Sequence, residues 1–385
     1  MTRLLHNPPL SLYVHMPWCV RKCPYCDFNS HTSPENLPAD DYIRALVADL
    51  EHDLPLIWGR PVHSIYFGGG TPSLFSAEHI AHFLSAVRAR LDLVPDIEIT
   101  LEANPGTIEH DSFPAYADAG INRVSLGVQS FNDDALQRIG RIHGCSDVEQ
   151  SLLSLQKAKI SNFNIDLMYA LPGQDLAAAR RDVELAIRAA PAHISYYQLT
   201  IEPNTAFAAQ PPPLPADELA WDMYDAGLAL LAGAGFDQYE ISAFAGRNRQ
   251  SRHNLNYWRY GDFMAVGAGA HGKITLASEG QVLRFSKQRH PKRYLQCLEK
   301  GGWMADRRVL GKEELVFEFF LNQLRLKQGV KIADFSGRTG LQWQLVESRV
   351  AAAVNRGLLS LDDGWVKHTD LGWKFVNDSQ QIFLP

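Results

Sequence analysis

No stretch of this sequence approaches the roughly 18–20 consecutive apolar residues that a membrane helix requires, so no membrane span is expected. The opening MTRLLHNPPLSLYV lacks an apolar segment followed by a small-residue cleavage site, so no secretory signal is expected either. Positive charge is not in excess: 37 Lys and Arg against 43 Asp and Glu leave a net charge of −6. That balance provides no field favouring nucleic acid or an anionic membrane surface. Cysteine is scarce and odd in number, with five in 385 residues. Three of them cluster, while Cys145 and Cys297 stand alone, which fits a metal site in a reducing compartment better than a disulfide framework. A cytoplasmic location is expected. Three familiar motifs are also missing. No G-x-G-x-x-G follows the first strand, no glycine-rich loop ends in Lys-Ser/Thr, and no C-x-x-C-H is present.

An apolar fraction of 46% and a charged fraction of 21% describe an ordinary globular chain, long enough for one large domain and a smaller one. Short strands alternate with helical periodicity over the first 245 residues or so. The expected strands are Leu12–His15, Val62–Phe67, Ile97–Glu102, Arg123–Val128, Phe163–Met168, His193–Leu199 and Phe236–Ile241. Between them Ile43, Leu46, Val47 and Leu50 share one helical face, and Ile80, Phe83, Leu84 and Val87 another. Ser76 reads as one helix cap, and Ser146 with Glu149 as a capping box. Strands separated by helices imply parallel pairing, and about six such units imply an α/β fold with a partial (β/α)6-type barrel. A doubly wound sheet is the alternative. Pro211–Pro215 reads as a surface loop. A second domain is expected over residues 246–385, with helices Glu313–Leu324 and Gln342–Arg356 and a hairpin at Leu358–His368. That order is winged-helix-like.

Barrel proteins place their chemistry at the C-terminal ends of strands, and the unusual residues fall there. Cys19-Val-Arg-Lys-Cys23-Pro-Tyr-Cys26 follows the first strand. Thiolates suit zinc, copper(I) or iron–sulfur clusters. Three of them leave a tetrahedral zinc site incomplete unless His15 or His31 joins, and leave one iron of a [4Fe-4S] cluster open. Gly68-Gly69-Gly70-Thr71-Pro72 follows the second strand, as a tight turn or as a place where backbone meets a ligand. Glu102, Gln129, Arg141 and Asp166 are single polar residues at or near later strand ends, either paired inside the barrel or offered to a ligand. His253-Asn254-Leu255-Asn256-Tyr257-Trp258 joins an imidazole to aromatic rings, which suits a structural cluster or a haem contact. Tyr196 and Tyr197 read as core. His271 sits among small residues that would let a ligand approach. The basic Lys287–Arg293 stretch reads as a solvated face or a partner for porphyrin propionates.

Taken in order, Tyr13-Val-His-Met-Pro-Trp-Cys19, the cysteine triplet, GGGTP, Leu101-Glu-Ala-Asn-Pro105, Gly127-Val-Gln-Ser-Phe131 and Asn164-Ile-Asp-Leu-Met-Tyr-Ala-Leu-Pro-Gly173 resemble the radical SAM coproporphyrinogen oxidase-like family over nearly the whole chain. The resemblance implies that Cys19, Cys23 and Cys26 hold a [4Fe-4S] cluster. It also implies that Tyr13, Tyr25, Gly69, Gly70, Thr71, Glu102, Gln129, Arg141 and Asp166 contact S-adenosylmethionine (SAM). One branch of the family decarboxylates coproporphyrinogen III and carries a fourth cysteine two residues after the third; here that residue is Phe28. The other branch, of haem chaperones, carries C-D-F and H-N-x-x-Y-W, as in Cys26-Asp-Phe28 and His253–Trp258. Resemblance to the second branch implies that haem is bound with His253 at its site and passed to acceptors such as respiratory haemoproteins. A monomer or homodimer is expected, without nucleic-acid partners given the acidic charge balance, and with room for peripheral contact with membrane-bound acceptors.

Overall fold

A computed structural model describes residues 7–106 and 111–385 of the chain. Six parallel strands lie side by side in chain order. They are β1 (Leu10–Met16), β2 (Val62–Gly69), β3 (Leu93–Ala103), β4 (Arg123–Gln129), β5 (Phe163–Tyr169) and β6 (His193–Gln198). Helices α1 (Ala39–Asp53), α2 (Ala77–Arg88), α3 (Phe113–Ala119), α4 (Cys145–Lys157) and α5 (Leu176–Arg188) connect them. Strands β1, β4 and β5 are nearly wholly buried because they are covered on both faces. The helices bury the faces that periodicity singles out, Ile43, Leu46 and Leu50 on α1 and Ile80, Phe83, Leu84 and Val87 on α2. Each such side chain stabilises the fold by about 1.5–3 kcal/mol.

Caps set where the helices begin. Ser76 accepts from the His79 amide, and the His79 ring accepts from the Ser76 amide. The expected Ser146–Glu149 box does not form. Gly144 is the N-cap of α4: Asp147 accepts from its amide at 2.9 Å, and Asp133 accepts from the Cys145 amide at 2.7 Å. Carboxylates are stronger acceptors than a serine hydroxyl and move the helix start two residues earlier.

After β6 comes α6 (Asp217–Gly233), and then β7 (Asp237–Glu240) and β8 (Ala243–Ala245). The expected seventh strand is thus present as β7, but it pairs antiparallel with β8, and β8 antiparallel with β6. Its two-residue connection leaves no chain for a parallel crossover. Nor does the sheet end near residue 245. After α7 (Arg252–Trp258), strand β9 (Asp262–Val266) pairs parallel with β1 on its other edge. Strands β10 (His271–Leu276) and β11 (Gln281–Lys287), then α8 (Pro291–Lys300) and β12 (Met304–Val309), complete a sheet of twelve strands among the described residues, in the order β12-β11-β10-β9-β1-β2-β3-β4-β5-β6-β8-β7. The expected division at 245 therefore falls inside one hydrogen-bonded sheet. Lys287, expected on a solvated face, is buried and held between Asp49 and Asp53 of α1 at 2.5 Å each.

The remaining chain builds its own core. It contains α9 (Lys312–Gln323), β13 (Val330–Lys331), α10 (Ile332–Thr339), α11 (Glu347–Asn355), β14 (Leu359–Asp362) and β15 (Trp365–His368). Helix, strand, two helices and a hairpin is the winged-helix order; α10 and β13 are additions to the sequence reading. Phe319, Phe320, Phe335, Val350, Val366 and Phe383 meet there, joined by Tyr260 from the first unit. The hairpin turns at Asp363-Gly364, both at positive φ (43° and 75°), as a type I′ turn requires.

Candidate functional site

The C-terminal ends of β1–β6 open onto a cavity of about 320 Å³. Its lining includes Cys19, Cys23, Cys26, Tyr25, Gly69, Gly70, Thr71, Glu102, Gln129, Arg141 and Asp166, brought together from loops far apart in sequence. Tyr13 and His253 are not among the lining residues. Within the cavity, Arg141 donates to Cys23 Sγ at 3.5 Å, to Asn104 Oδ1 at 3.0 Å and to the Gly127 carbonyl at 2.8 Å. Asn104 in turn donates to Thr71 Oγ1 at 3.0 Å. A guanidinium is thereby fixed beside a thiol at the mouth.

The glycine loop is a packing device as well as a wall. Gly70 N donates to the Met16 carbonyl and Thr71 N to the Trp18 carbonyl, each at 2.7 Å, so the loop carries the root of the cysteine segment. A Cβ on Gly70 would meet the Trp18 oxygen at 2.5 Å, and one on Gly69, at φ 110°, would meet the His15 ring at 2.4 Å. The glycines thus form a tight turn, and Gly69 and Gly70 also line the cavity.

Next to the glycine loop, Glu102 accepts from Tyr66 Oη at 2.8 Å and from Gly69 N at 3.1 Å. Burial, with the nearby Asp166 adding to it, raises its carboxyl to about 7. Asp166 accepts from Asn164 at 2.8 Å and Ser125 at 3.1 Å, and burial again raises it above the usual carboxylate range. Gln129 accepts from Tyr197 Oη at 2.9 Å and sits at φ 69°, beside a register shift between β4 and β5. Such a bulge re-aims a side chain at a strand end.

The three thiols fit a polynuclear cluster better than a closed zinc site. Among the described residues no three His, Cys, Asp or Glu side chains gather tightly enough for a single ion. Of the two histidines that could complete a zinc set, His31 lies against the His290 ring at 5.4 Å with a buried Nε2 that has no partner, whereas His15 is engaged, Nε2 with the Asn29 carbonyl at 2.9 Å and Nδ1 with Tyr13 Oη at 3.0 Å. Tyr13 is spent on that bond and on the ring of Tyr66, 6.4 Å away, so it lies behind the cavity wall.

His253 lies elsewhere. It is 1% exposed, inside the sheet and below the cavity. Its Nδ1 pairs with Ser64 Oγ at 2.9 Å, and Ser64 donates to Ser11, which also accepts from Asn256. Its amide donates to Glu98, and Tyr66 and Tyr257 wall its ring at 4.9 and 5.1 Å. Burial pushes its imidazole down to about 3, so it is neutral. It lies outside the cavity lining, and its buried Nε2 has no hydrogen-bond partner. His271 is exposed at the start of β10.

Sequence reasoning missed Tyr66, Asn104 and Arg123, and assigned Tyr197 to the core although only Tyr196 is core. Arg123, 2% exposed, stands inside the barrel near Glu102, Asp166 and His253. A lone arginine opening an otherwise apolar strand is the signal that marks it.

Fold and cavity together define a radical SAM protein. Residues 13–186 match the radical SAM superfamily and 310–375 the HemN C-terminal domain. The solved coproporphyrinogen III oxidase (HemN) of Escherichia coli overlays with a TM-score of 0.82, covering 98% of this chain and 90% of that one, and at 23% identity it speaks to the fold alone. The chain belongs to the HemW family of haem chaperones. It is 47% identical to heme chaperone HemW of Haemophilus influenzae and 45% identical to that of Escherichia coli, over 98% of both chains in each case. It is also 36% identical to the bovine mitochondrial radical S-adenosyl methionine domain-containing protein 1, over 88% of this chain and 76% of that one. No helix among the described residues is long and apolar enough to cross a membrane.

Proposed function

We propose that the protein binds haem and passes it to haem-requiring acceptors, keeping a [4Fe-4S] cluster on Cys19, Cys23 and Cys26 and SAM in the cavity beside it. The observation that carries this reading over coproporphyrinogen decarboxylation is the residue two places after Cys26. Phe28, 59% exposed, occupies the cavity rim where the oxidase branch has its fourth cysteine. Relatedness to chaperones along the whole chain supports the same choice.

The cluster, when bound, supplies one-electron chemistry and an open iron site. The remaining work falls to the chain. Glu102 and Asp166 supply carboxyl oxygens for the ammonium and hydroxyls of SAM, with the Glu102 carboxylate forming as pH rises through about 7. Arg141 holds positive charge against the sulfur of Cys23, and Gly69–Thr71 offer backbone to the ligand. The test is anaerobic reconstitution followed by two assays, haem binding and conversion of coproporphyrinogen III to protoporphyrinogen IX. Haem binding without turnover is expected, and robust turnover overturns the reading.

A further inference from the structure

Beneath the cavity, three residues that do not line it join in a chain ending on Asp166. Asn164 on β5 is in register with His193 on β6, and Tyr239 comes from β7 at the far edge of the sheet. All three are buried, so their polar groups must find partners inside the protein. Tyr239 Oη meets His193 Nε2 at 2.8 Å, and His193 Nδ1 meets Asn164 Oδ1 at 2.6 Å. Asn164 Nδ2 then donates to Asp166 Oδ1 at 2.8 Å. Its second proton goes to Ser125 Oγ at 2.8 Å, which itself donates to the other oxygen of Asp166 at 3.1 Å. Among the described residues, this places the carboxyl that faces the cavity at the end of an unbroken run of hydrogen bonds.

The carboxylate sets the direction of every bond in that run. Ionised, Asp166 only accepts, so Asn164 turns its amide nitrogen to it and its oxygen to His193. An amide oxygen also only accepts, so His193 carries its proton on Nδ1. Nε2 is then bare, and the phenol of Tyr239 donates to it. Burial, with the Arg123 charge adding to it, pushes the His193 imidazole well below its ordinary value, so the ring is neutral and holds a single proton. Every donor therefore points toward Asp166, and aligned hydrogen bonds strengthen one another in an interior of low dielectric. The remote end is fixed as well. The Tyr239 carbonyl accepts from the Lys327 amide at 3.0 Å, and neighbouring Glu240 pairs with Arg325 at 2.9 Å, both partners belonging to the C-terminal unit.

We propose that Tyr239, His193 and Asn164 are positioning residues for SAM, orienting the Asp166 carboxylate toward the ligand through a one-way chain that begins at the seam with the C-terminal unit. The proposal rests on the reading above that Asp166 contacts SAM. A chain that merely filled the barrel interior would change stability and leave ligand affinity alone. The test is calorimetric titration of SAM into the cluster-reconstituted full-length protein, each variant first checked for wild-type iron content and a cooperative melting transition. His193→Leu is expected to weaken affinity by roughly tenfold, as support for a charged acceptor is lost. Tyr239→Phe removes one hydroxyl and frees the imidazole to carry its proton on Nε2, which turns the Asn164 oxygen onto Asp166; a loss of roughly threefold is expected. His193→Gln, whose amide donates to Asn164 and accepts from Tyr239, is expected to bind within about threefold of wild type. Should His193→Leu fail to fold, Tyr239→Phe carries the test. Wild-type affinity in both His193→Leu and Tyr239→Phe, or a loss in His193→Gln as large as in His193→Leu, overturns the proposal while Asp166→Asn still weakens binding. An Asp166→Asn variant that binds SAM as wild type does overturns the cavity contact and the chain with it.

Discussion

The two polar regions of the barrel differ in what their groups face. At the mouth, Glu102, Gln129, Arg141 and Asp166 use part of their bonding capacity on neighbours and turn the rest toward a cavity. Below it, Ser11, Ser64, Asn256 and the Nδ1 of His253 bond to one another, sealed at 9% exposure or less, with His253 Nε2 left without a partner. Both regions read in sequence as polar residues amid apolar strands. What separates them is position along the strand. Groups at C-terminal strand ends are left open for a ligand, whereas groups lower down close the interior and fasten α7 onto the sheet.

The comparison can be sharpened by substitutions at each end. The largest expected effect is at the clamp that holds the cysteine segment. Asn29 donates to the Ala268 and Arg289 carbonyls at 2.9 and 3.0 Å, and Gly269 lies so close that an added Cβ would fall 2.1 Å from the Asn29 amide. Gly269 also has φ 80°, which an L-residue adopts only with strain. Gly269→Ala is expected to cost about 2–4 kcal/mol and to speed loss of the cluster's visible absorption in air. An unchanged melting temperature and cluster lifetime would show that the clamp does nothing.

Next is His253→Ala, expected to cost about 2–3 kcal/mol, since it opens a cavity and removes the bond between Nδ1 and Ser64 Oγ, which keeps its own bond to Ser11. An open ligand histidine would cost nearly nothing, so the melting temperature separates the two views. The acid response provides a second reading. The folded state keeps His253 neutral down to about 3, whereas an unfolded imidazole protonates near 6.5, so the unfolded chain takes up the proton first. Stability therefore falls as pH drops from 6.5 toward 3, by about 1.4 kcal/mol per unit from this group, and the variant should lose that share of the slope.

The smallest expected effect is at the mouth. Glu102 holds its proton up to about 7, so its carboxylate forms as pH rises through neutrality. Affinity for SAM, whose ammonium is a cation, is expected to rise several-fold from pH 6 to pH 8 in calorimetric titrations. Glu102→Gln should bind more weakly and flatten that profile. A wild-type affinity indifferent to pH would remove Glu102 from the ligand's contacts.

Much of the parallel barrel is legible in the sequence, because each of β1–β6 is a short apolar run set between helical periods. Strands β9–β12 are not, since β9 pairs with β1 from the far end of the chain and only three dimensions bring them together. The site divides the same way. The cysteines and glycines announce themselves by spacing. Tyr66, Asn104 and Arg123 do not, because the facing of a side chain depends on pleat, register and bulge. His253 reads two ways for a related reason: a histidine beside aromatic rings looks the same whether the rings frame a porphyrin or a sealed core.

The central claim is that the cavity holds a cluster on three thiols with one iron open to SAM. Electron paramagnetic resonance of the reduced, reconstituted protein, recorded before and after SAM is added, tests it most directly. The account predicts about four irons per chain, a cluster signal that shifts when SAM is added, and loss of both in Cys23→Ala. Full iron content in Cys23→Ala, or a signal indifferent to SAM, would contradict it.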